Sequence, residues 1–437
     1  MLRAARNNTA LYRPPFCDPD MLRLSHRALY AAFDRVPSAK GAATHIARMA
    51  AGLFEHAGGG VLLVPGDNSA PLYQCEGRVE IARLHTRAVP LLERINAYQR
   101  FVYHHTRRQA ATLRIAHFRD PWSGIPIVQA LDDAGSTCRI VYEINGLPSL
   151  EWPERYRAVA RSTIARLRDE EERCWQRAHA IIVPSATMAE NLVPIGVPAA
   201  RIKVIPNGAD LPWPPVPPRP LASPYFLYFG ALQPWQGVPV LLKAFARLAD
   251  FDTLKLVICA SAPVEDCAWL YELAALEGVS DRIVWQHELE QTALRPWIAH
   301  ALASVAPLTQ CPRNIDQGCC PLKILESMAH GVPVVASDLP VVREIIEPDV
   351  HGVLTAPDRP ADLARALRLL LDYPERRMQL GHAAQQRIQS RFTWDHTLTA
   401  LRTLYQRLDI SPSEEHHDQQ PHHARPVLHQ TRPVQTV

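Results

Sequence analysis

Residues 319–337, CCPLKILESMAHGVPVVAS, decide how this chain folds. Leu322, Leu325, Met328 and Ala329 recur at helical spacing, Gly331 ends the helix, and Pro333 turns the chain into the apolar run Val334-Val335-Ala336. A helix that delivers straight into a buried strand is half of a βαβ unit, and such units build a parallel sheet covered by helices on both faces. Lys323 and Glu326 stand three apart and therefore share one helix face. Two readings are open from these residues alone. The pair is either an ordinary surface salt bridge, or it flanks a helix start whose unpaired N–H groups attract an anion.

Working outward, the same alternation continues on both sides. In the second half, strands are expected at 225–229, 254–260, 282–286 and 303–307, separated by helices at 237–248, 267–276 and 290–298 and followed by helices at 361–371, 375–390 and 394–408. In the first half, strands are expected at 28–33, 61–64, 113–116, 139–143, 180–183 and 202–205. Ile46, Met49, Ala50, Leu53 and Phe54 mark the first helix between them. The stretch 211–224, LPWPPVPPRPLASP, is a semi-rigid connector between the halves. The expected organisation is an irregular segment 1–26, an α/β unit 27–210, the linker 211–224, a second α/β unit 225–392, a helix 393–410 and a disordered tail 411–437.

Composition narrows the function classes. A net charge of +3 over 437 residues gives no support to nucleic-acid binding. The nine cysteines form no repeated C-x-x-C, which fits a reduced, cytosolic chain without a zinc site or disulfide framework. No apolar run reaches the length of a membrane span. The helices expected at 91–108 and 154–178 are rich in arginine, which reads either as a solvated face or as a surface attracted to anionic lipid. Lysine stands only at positions 40, 203, 243, 255 and 323, so Lys323 is a rare residue in a notable place.

Six motifs in order carry a resemblance: KGAATH at 40–45, AIIVPS at 180–185, VIPNGAD at 204–210, FGALQPWQG at 229–237, PLKILESMAHGVPVVAS at 321–337 and FTW at 392–394. Together they resemble glycosyltransferase family 4 (glycosyl transferases group 1), as a divergent member. The resemblance implies the GT-B fold: two Rossmann-like, doubly wound domains facing a cleft, with a C-terminal helix crossing back to the first domain. It also implies a retaining transfer of a hexose from a nucleoside diphosphate sugar to a hydroxyl, with no bound metal and no cofactor. The partners so implied are the nucleotide-sugar donor and a lipid-linked or saccharide acceptor. The setting is cell-envelope or exported polysaccharide synthesis, in the cytoplasm and at the inner face of the membrane. A nucleotide-sugar epimerase or a non-catalytic scaffold on the same fold are the alternatives.

Carried over residue by residue, the resemblance gives Glu326 the donor ribose and gives the backbone of Leu322, Lys323 and Ile324 the diphosphate. Gly230, Gln236, Gly237 and Gly318 line the donor side; Gly41, Ala42, Glu143, Asn145 and Asn207 line the acceptor side or cleft. His117 and Arg119 stand in a His-x-His-like motif near the reacting sugar carbon, although His117 also reads as a satisfied strand-end histidine and Glu143 as a helix cap. Three departures matter. The family's first glutamate of a Glu-x7-Glu pair is Gly318, and the arginine and lysine of its phosphate-binding loop are Ala231 and Gln236. Lys323, and after it Arg313, are the cations left to offset a diphosphate.

Overall fold

The computed structural model describes residues 22–67, 69–85, 90–156 and 158–409. The expected disordered tail and most of the expected N-terminal irregular segment lie outside them. The first sheet contains β1 (Ala28–Ala31), β2 (Gly60–Gly66), β3 (Tyr73–Glu76), β4 (Val79–His85), β5 (Ile115–Phe118), β6 (Arg139–Glu143), β7 (Ala180–Val183) and β8 (Ile202–Val204). The second contains β9 (Tyr225–Gly230), β10 (Lys255–Ala260), β11 (Ile283–His287), β12 (Ala303–Ala306), β13 (Val334–Ser337) and β14 (Gly352–Thr355). Their orders are β3-β4-β2-β1-β5-β6-β7-β8 and β11-β10-β9-β12-β13-β14.

Every pairing is parallel except β3 with β4. The central strands are buried on both faces, as in β1 and β7, because helices cover each side. Chain order reverses between β1 and β5 in one sheet and between β9 and β12 in the other. Ligands of doubly wound sheets bind at such switch points, outside the carboxyl ends of the strands. No helix or strand lies between Val204 and Tyr225 among the described residues. The final helix, Trp394–Asp409, returns to the first sheet: Leu401 and Tyr405 pack in one core cluster with Ile46 and Met49 of the first helix, Gly41–Ala57.

Two expectations are corrected by tertiary contacts. A single helix over 154–178 is instead two, Pro148–Arg155 and Arg161–Arg177, with extended backbone at Tyr156 and Ala160. The break lets the second helix fold back so that Glu171 accepts from Ser149 N at 2.8 Å and Ser149 Oγ at 2.6 Å. The β3–β4 hairpin is additional to the expected strands. It escapes a pattern search because β4 buries Glu80 and Arg83 in place of apolar residues. Glu80 is satisfied by His26 Nε2 at 2.6 Å, Tyr73 Oη at 2.5 Å and Arg23 N at 2.9 Å.

The two sheets meet along a polar seam. Glu344 of the second half accepts from Ala186 N and Thr187 N, both at 2.8 Å, at the start of the helix Ala186–Leu192. Gln317 Oε1 accepts from Leu147 N at 2.7 Å, and Asn191 Nδ2 donates to Ile315 O at 2.7 Å.

Candidate functional site

A cleft with about 1220 Å³ of empty space, open solvent included, lies between the sheets. From the first half it is lined by Gly41, Ala42, His45, Arg119, Asn145 and Asn207. From the second it is lined by Gly230, Gln236, Ser261, Gln291, Arg313, Leu322, Lys323 and Glu326. Most of these follow the carboxyl ends of β1, β5, β6, β9, β10 and β12, so both switch points open into one space.

The helix Leu322–Ala329 begins at the cavity wall after Pro321, which provides no side-chain cap. The N–H groups of Leu322 and Lys323 have no acceptor among the described residues, whereas Ile324 N donates to Pro321 O at 3.1 Å. Two free donors therefore face the space, and Ile324, itself fully buried, is withdrawn from the expected trio. This helix start comes close to the opposite half at Gly41, where an added Cβ would lie 3.1 Å from Leu322 Cδ1 and the leucine would have to shift slightly.

Lys323 and Glu326 are held on the cavity side. Lys323 Nζ donates to Gln236 Oε1 at 2.6 Å and to Tyr228 Oη at 3.1 Å, and it sits 4.1 Å from the centre of the Tyr228 ring. Burial pulls the ammonium down to about 7, with Cys319 and Glu326 pulling weakly the other way. Glu326 Oε1 accepts from Gln291 Nε2 at 2.7 Å. Burial pushes this carboxyl up to about 7, aided by Asp210 and opposed by Gln291 and Lys323. A half-charged lysine and a half-ionised carboxyl three residues on can take an anion and a pair of hydroxyls side by side, each ligand favouring the charged form of its partner.

Behind the cavity, the first half carries a buried polar cluster centred on Glu143. Its Oε1 accepts from His45 Nε2 at 2.5 Å and from Asn145 Nδ2; its Oε2 accepts from Tyr30 Oη at 2.9 Å. His117 Nε2 stands 3.2 Å from Oε2 and Arg119 Nε 3.6 Å from Oε1. Burial alone would raise this carboxyl, but His45 and His117 outweigh it and hold it well below the usual carboxylate range. His45 Nδ1 meets Asn207 Oδ1 at 2.7 Å, and Asn207 Nδ2 donates to Cys320 O at 2.7 Å. A hydrogen-bonded chain thus runs from Glu143 to the loop that opens the helix Leu322–Ala329.

The cavity brings together Gly41, Ala42, Arg119, Asn145, Asn207, Gly230, Gln236, Leu322, Lys323 and Glu326. Five expected site residues stand elsewhere. His117 is 0% exposed, its Nδ1 2.6 Å from Tyr405 Oη, so it supports Glu143 and cannot touch a substrate. Glu143, 1% exposed, neither reaches the cavity nor caps a helix, because the cluster just described takes up both oxygens. Gly318 faces Met188 and Ser185 across the seam, and its φ of +86° suits glycine, so a glutamate there would be strained and pointed away. Gly237 lies at a φ of +70°, where a Cβ would meet Pro307 O at 1.7 Å; its role is the turn. Ile324 is core. His45 was missed as a site residue because it lies on the apolar face of its helix, where periodicity reads it as packing.

Comparison with known proteins bears on the family and the fold. Residues 39–213 match the model described as "Glycosyltransferase Family 4", and residues 223–373 match "Glycosyl transferases group 1". The two matches follow one another and cover the larger part of the chain. The chain belongs to this glycosyltransferase family and has its GT-B fold. It is 31% identical over 254 residues to D-inositol 3-phosphate glycosyltransferase of Xylanimonas cellulosilytica, covering 54% of this chain and 58% of that protein. It is 31% identical over 234 residues to glycogen synthase of Mycobacterium tuberculosis, covering 53% and 54%. The chain thus spans little more than half the length of these curated relatives. Among solved structures, sucrose-phosphate synthase from Thermosynechococcus elongatus superimposes with a TM-score of 0.72 at 18% identity, over 87% of this chain and 99% of that one. HepE of Anabaena in complex with UDP-glucose gives 0.66 at 16% identity, over 87% and 100%. At these identities the likeness is one of fold.

Proposed function

We propose that this chain is a retaining hexosyltransferase that moves a sugar from a nucleoside diphosphate sugar to a hydroxyl acceptor. The observation that carries the reading is the composition of the cavity wall at the start of the helix Leu322–Ala329. Two free N–H groups, the Lys323 ammonium and the Glu326 carboxylate are presented there together. These are the donors that a diphosphate requires and the acceptor that a ribose requires, and a cation there offsets negative charge as the glycosidic bond breaks. Arg119, bound to Asp34, and Asn145 on the opposite wall form the acceptor side. Closure of the two halves excludes water from the transfer.

Retention rests on the family likeness, as does the absence of a metal from the reaction. Among the described residues, no three His, Cys, Asp or Glu side chains are grouped to hold a metal ion, and no helix is long and apolar enough to cross a membrane. The proposed setting is cell-envelope or exported polysaccharide synthesis on a lipid-linked or saccharide acceptor, at the cytosolic face of the membrane. Calorimetric titration with UDP, GDP, ADP and dTDP tests the reading. Binding of at least one is expected, followed by sugar transfer from its hexose derivative; binding of none sinks it.

The lysine makes the affinity pH-dependent. A diphosphate binds the protonated ammonium, which in the free protein is lost as pH rises through about 7. Above that value each binding event must recruit a proton, so affinity should fall by up to about tenfold per pH unit. Lys323→Met should bind more weakly at pH 6.5 and decline less steeply between pH 7 and 9, where only the ionisation of Glu326, also near 7, remains. An identical slope in the variant would remove Lys323 from the phosphate site.

A further inference from the structure

The loop that follows β9, residues 231–236, has neither of the two cations by which its relatives are expected to clamp a diphosphate, and Lys323 offers only one charge in return. The structure shows what the loop does instead. Gln236 Oε1 holds Lys323 Nζ at 2.6 Å, and the ring of Trp235 lies beneath a second cation, with Arg313 Cζ 5.6 Å from its centre. We infer that Arg313 is a second phosphate-binding residue, and that the loop has changed from supplying a cation pair to supporting one brought in from two other segments. This inference rests on the nucleotide reading given above.

Four observations converge on it. Arg313 lines the same cavity as Lys323. It opens the π-helical turn Arg313–Gln317, a rare form of helix that is frequent at functional sites. That turn is anchored by the fully buried Asn314, whose Nδ2 donates to Trp235 O at 3.0 Å and to Thr309 O at 2.8 Å, so Arg313 is fixed over the tryptophan. The side chain is only 14% exposed, yet its Nε has no hydrogen-bond partner among the described residues. Cys319 is the side chain that hydrogen-bonds the guanidinium, and a buried N–H left over beside it is costly unless an acceptor arrives.

The two cations also meet at one place. Burial pushes the Cys319 thiol up, while Arg313 and then Lys323 pull it back down, so both charges flank the same sulfur just before the helix Leu322–Ala329. A diphosphate seated on the free N–H groups of Leu322 and Lys323 would have both cations on the wall of the same cavity. Arginine suits this task because its planar fork binds two phosphate oxygens at once. The competing role is structural: Glu151 of the first half stands 3.5 Å from Arg313 Nε, and the same carboxylate oxygen accepts from Gln317 Nε2 at 3.0 Å.

The experiment separates the two. Wild type, Arg313→Met, Arg313→Lys and Glu151→Gln are titrated by calorimetry with UDP, GDP, ADP and dTDP, and with the matching nucleosides, after circular dichroism has established which variants fold. Arg313→Met is expected to lose about ten- to a hundredfold in affinity for the diphosphate that the wild type binds. The nucleoside should be little affected, and Arg313→Lys should fall between. Glu151→Gln should retain the diphosphate affinity. If Arg313→Met and Arg313→Lys both bind as the wild type does, or if Glu151→Gln reproduces the loss, Arg313 is only a tie between the halves and the inference fails alone. Should Arg313→Met not fold, the lysine variant carries the test, a wild-type affinity again overturning it. If the wild type binds none of the four diphosphates, the nucleotide reading itself fails and this inference falls with it.

Discussion

Replacing Glu143 with alanine is expected to lower folding stability by about 3–5 kcal/mol, the cost of removing one member of a buried charge cluster and stranding the rest. The carboxylate is 1% exposed and answers His45, Tyr30 and Asn145 directly, with His117 and Arg119 within 3.6 Å. Without it, His45, His117 and Tyr30 lose their acceptor in a region that excludes water, and Arg119 keeps only Asp34. Urea denaturation at neutral pH measures the loss, and a shift of the midpoint corresponding to less than about 1 kcal/mol would show that the cluster rearranges freely. The sign of the pH dependence follows from the direction of the shift. Glu143 is held below the ordinary value of 4.5. Its contribution is therefore complete above 4.5 and is lost as pH falls below that value toward the depressed one. Glu143→Gln should be destabilised at pH 7 and should lack this acid-side decline, so the gap between variant and wild type narrows as pH drops.

The cluster also marks the limit of what the chain discloses as a string of letters. The alternation of strand and helix, the proline-rich connector and the charged face of the helix around Lys323 and Glu326 are all local patterns, and local patterns survive translation into sequence. His45 is different. Its partners Glu143 and Asn207 are 98 and 162 residues away, and only the parallel topology brings them together, by placing the first helix beside the carboxyl end of β6. On its own helix it is one more position on a buried stripe. His117 errs the opposite way: it stands in a motif that reads as catalytic, yet Tyr405 of the returning terminal helix closes over it. That closure depends on a contact spanning 288 residues. Arg313 sits in a π-helical turn, which has neither the helical nor the strand period, and in the sequence only the lack of cations at 231 and 236 singles it out. Substitutions at Ala231 and Gln236 look like losses in sequence. In three dimensions, Gln236 holds the very lysine proposed to replace them.

Glu326→Ala is expected to weaken nucleoside diphosphate binding by about a hundredfold, the loss of two hydrogen bonds to a charged acceptor. The geometry makes the prediction specific. Gln291 occupies Glu326 Oε1 and orients the carboxyl, while the group as a whole lines the cavity beside Lys323. An acceptor so placed can take two neighbouring ribose hydroxyls, and neither the base nor the phosphates needs it. A nucleoside diphosphate lacking both ribose hydroxyls should therefore bind wild type and Glu326→Ala with nearly the same affinity, and weakly to both. This pair of titrations distinguishes a ribose contact from a general electrostatic effect. Removing a negative charge beside Lys323 would by itself strengthen diphosphate binding, because the carboxylate repels the phosphates. A variant that binds the ordinary nucleotide as well as the wild type does, or better, would mean that Glu326 serves the lysine and not the ribose. Glu326→Gln refines the outcome. It keeps a carbonyl acceptor but loses the charge, so an intermediate loss for the ribonucleotide, with no change for the hydroxyl-free analogue, is the pattern that a bidentate ribose contact requires.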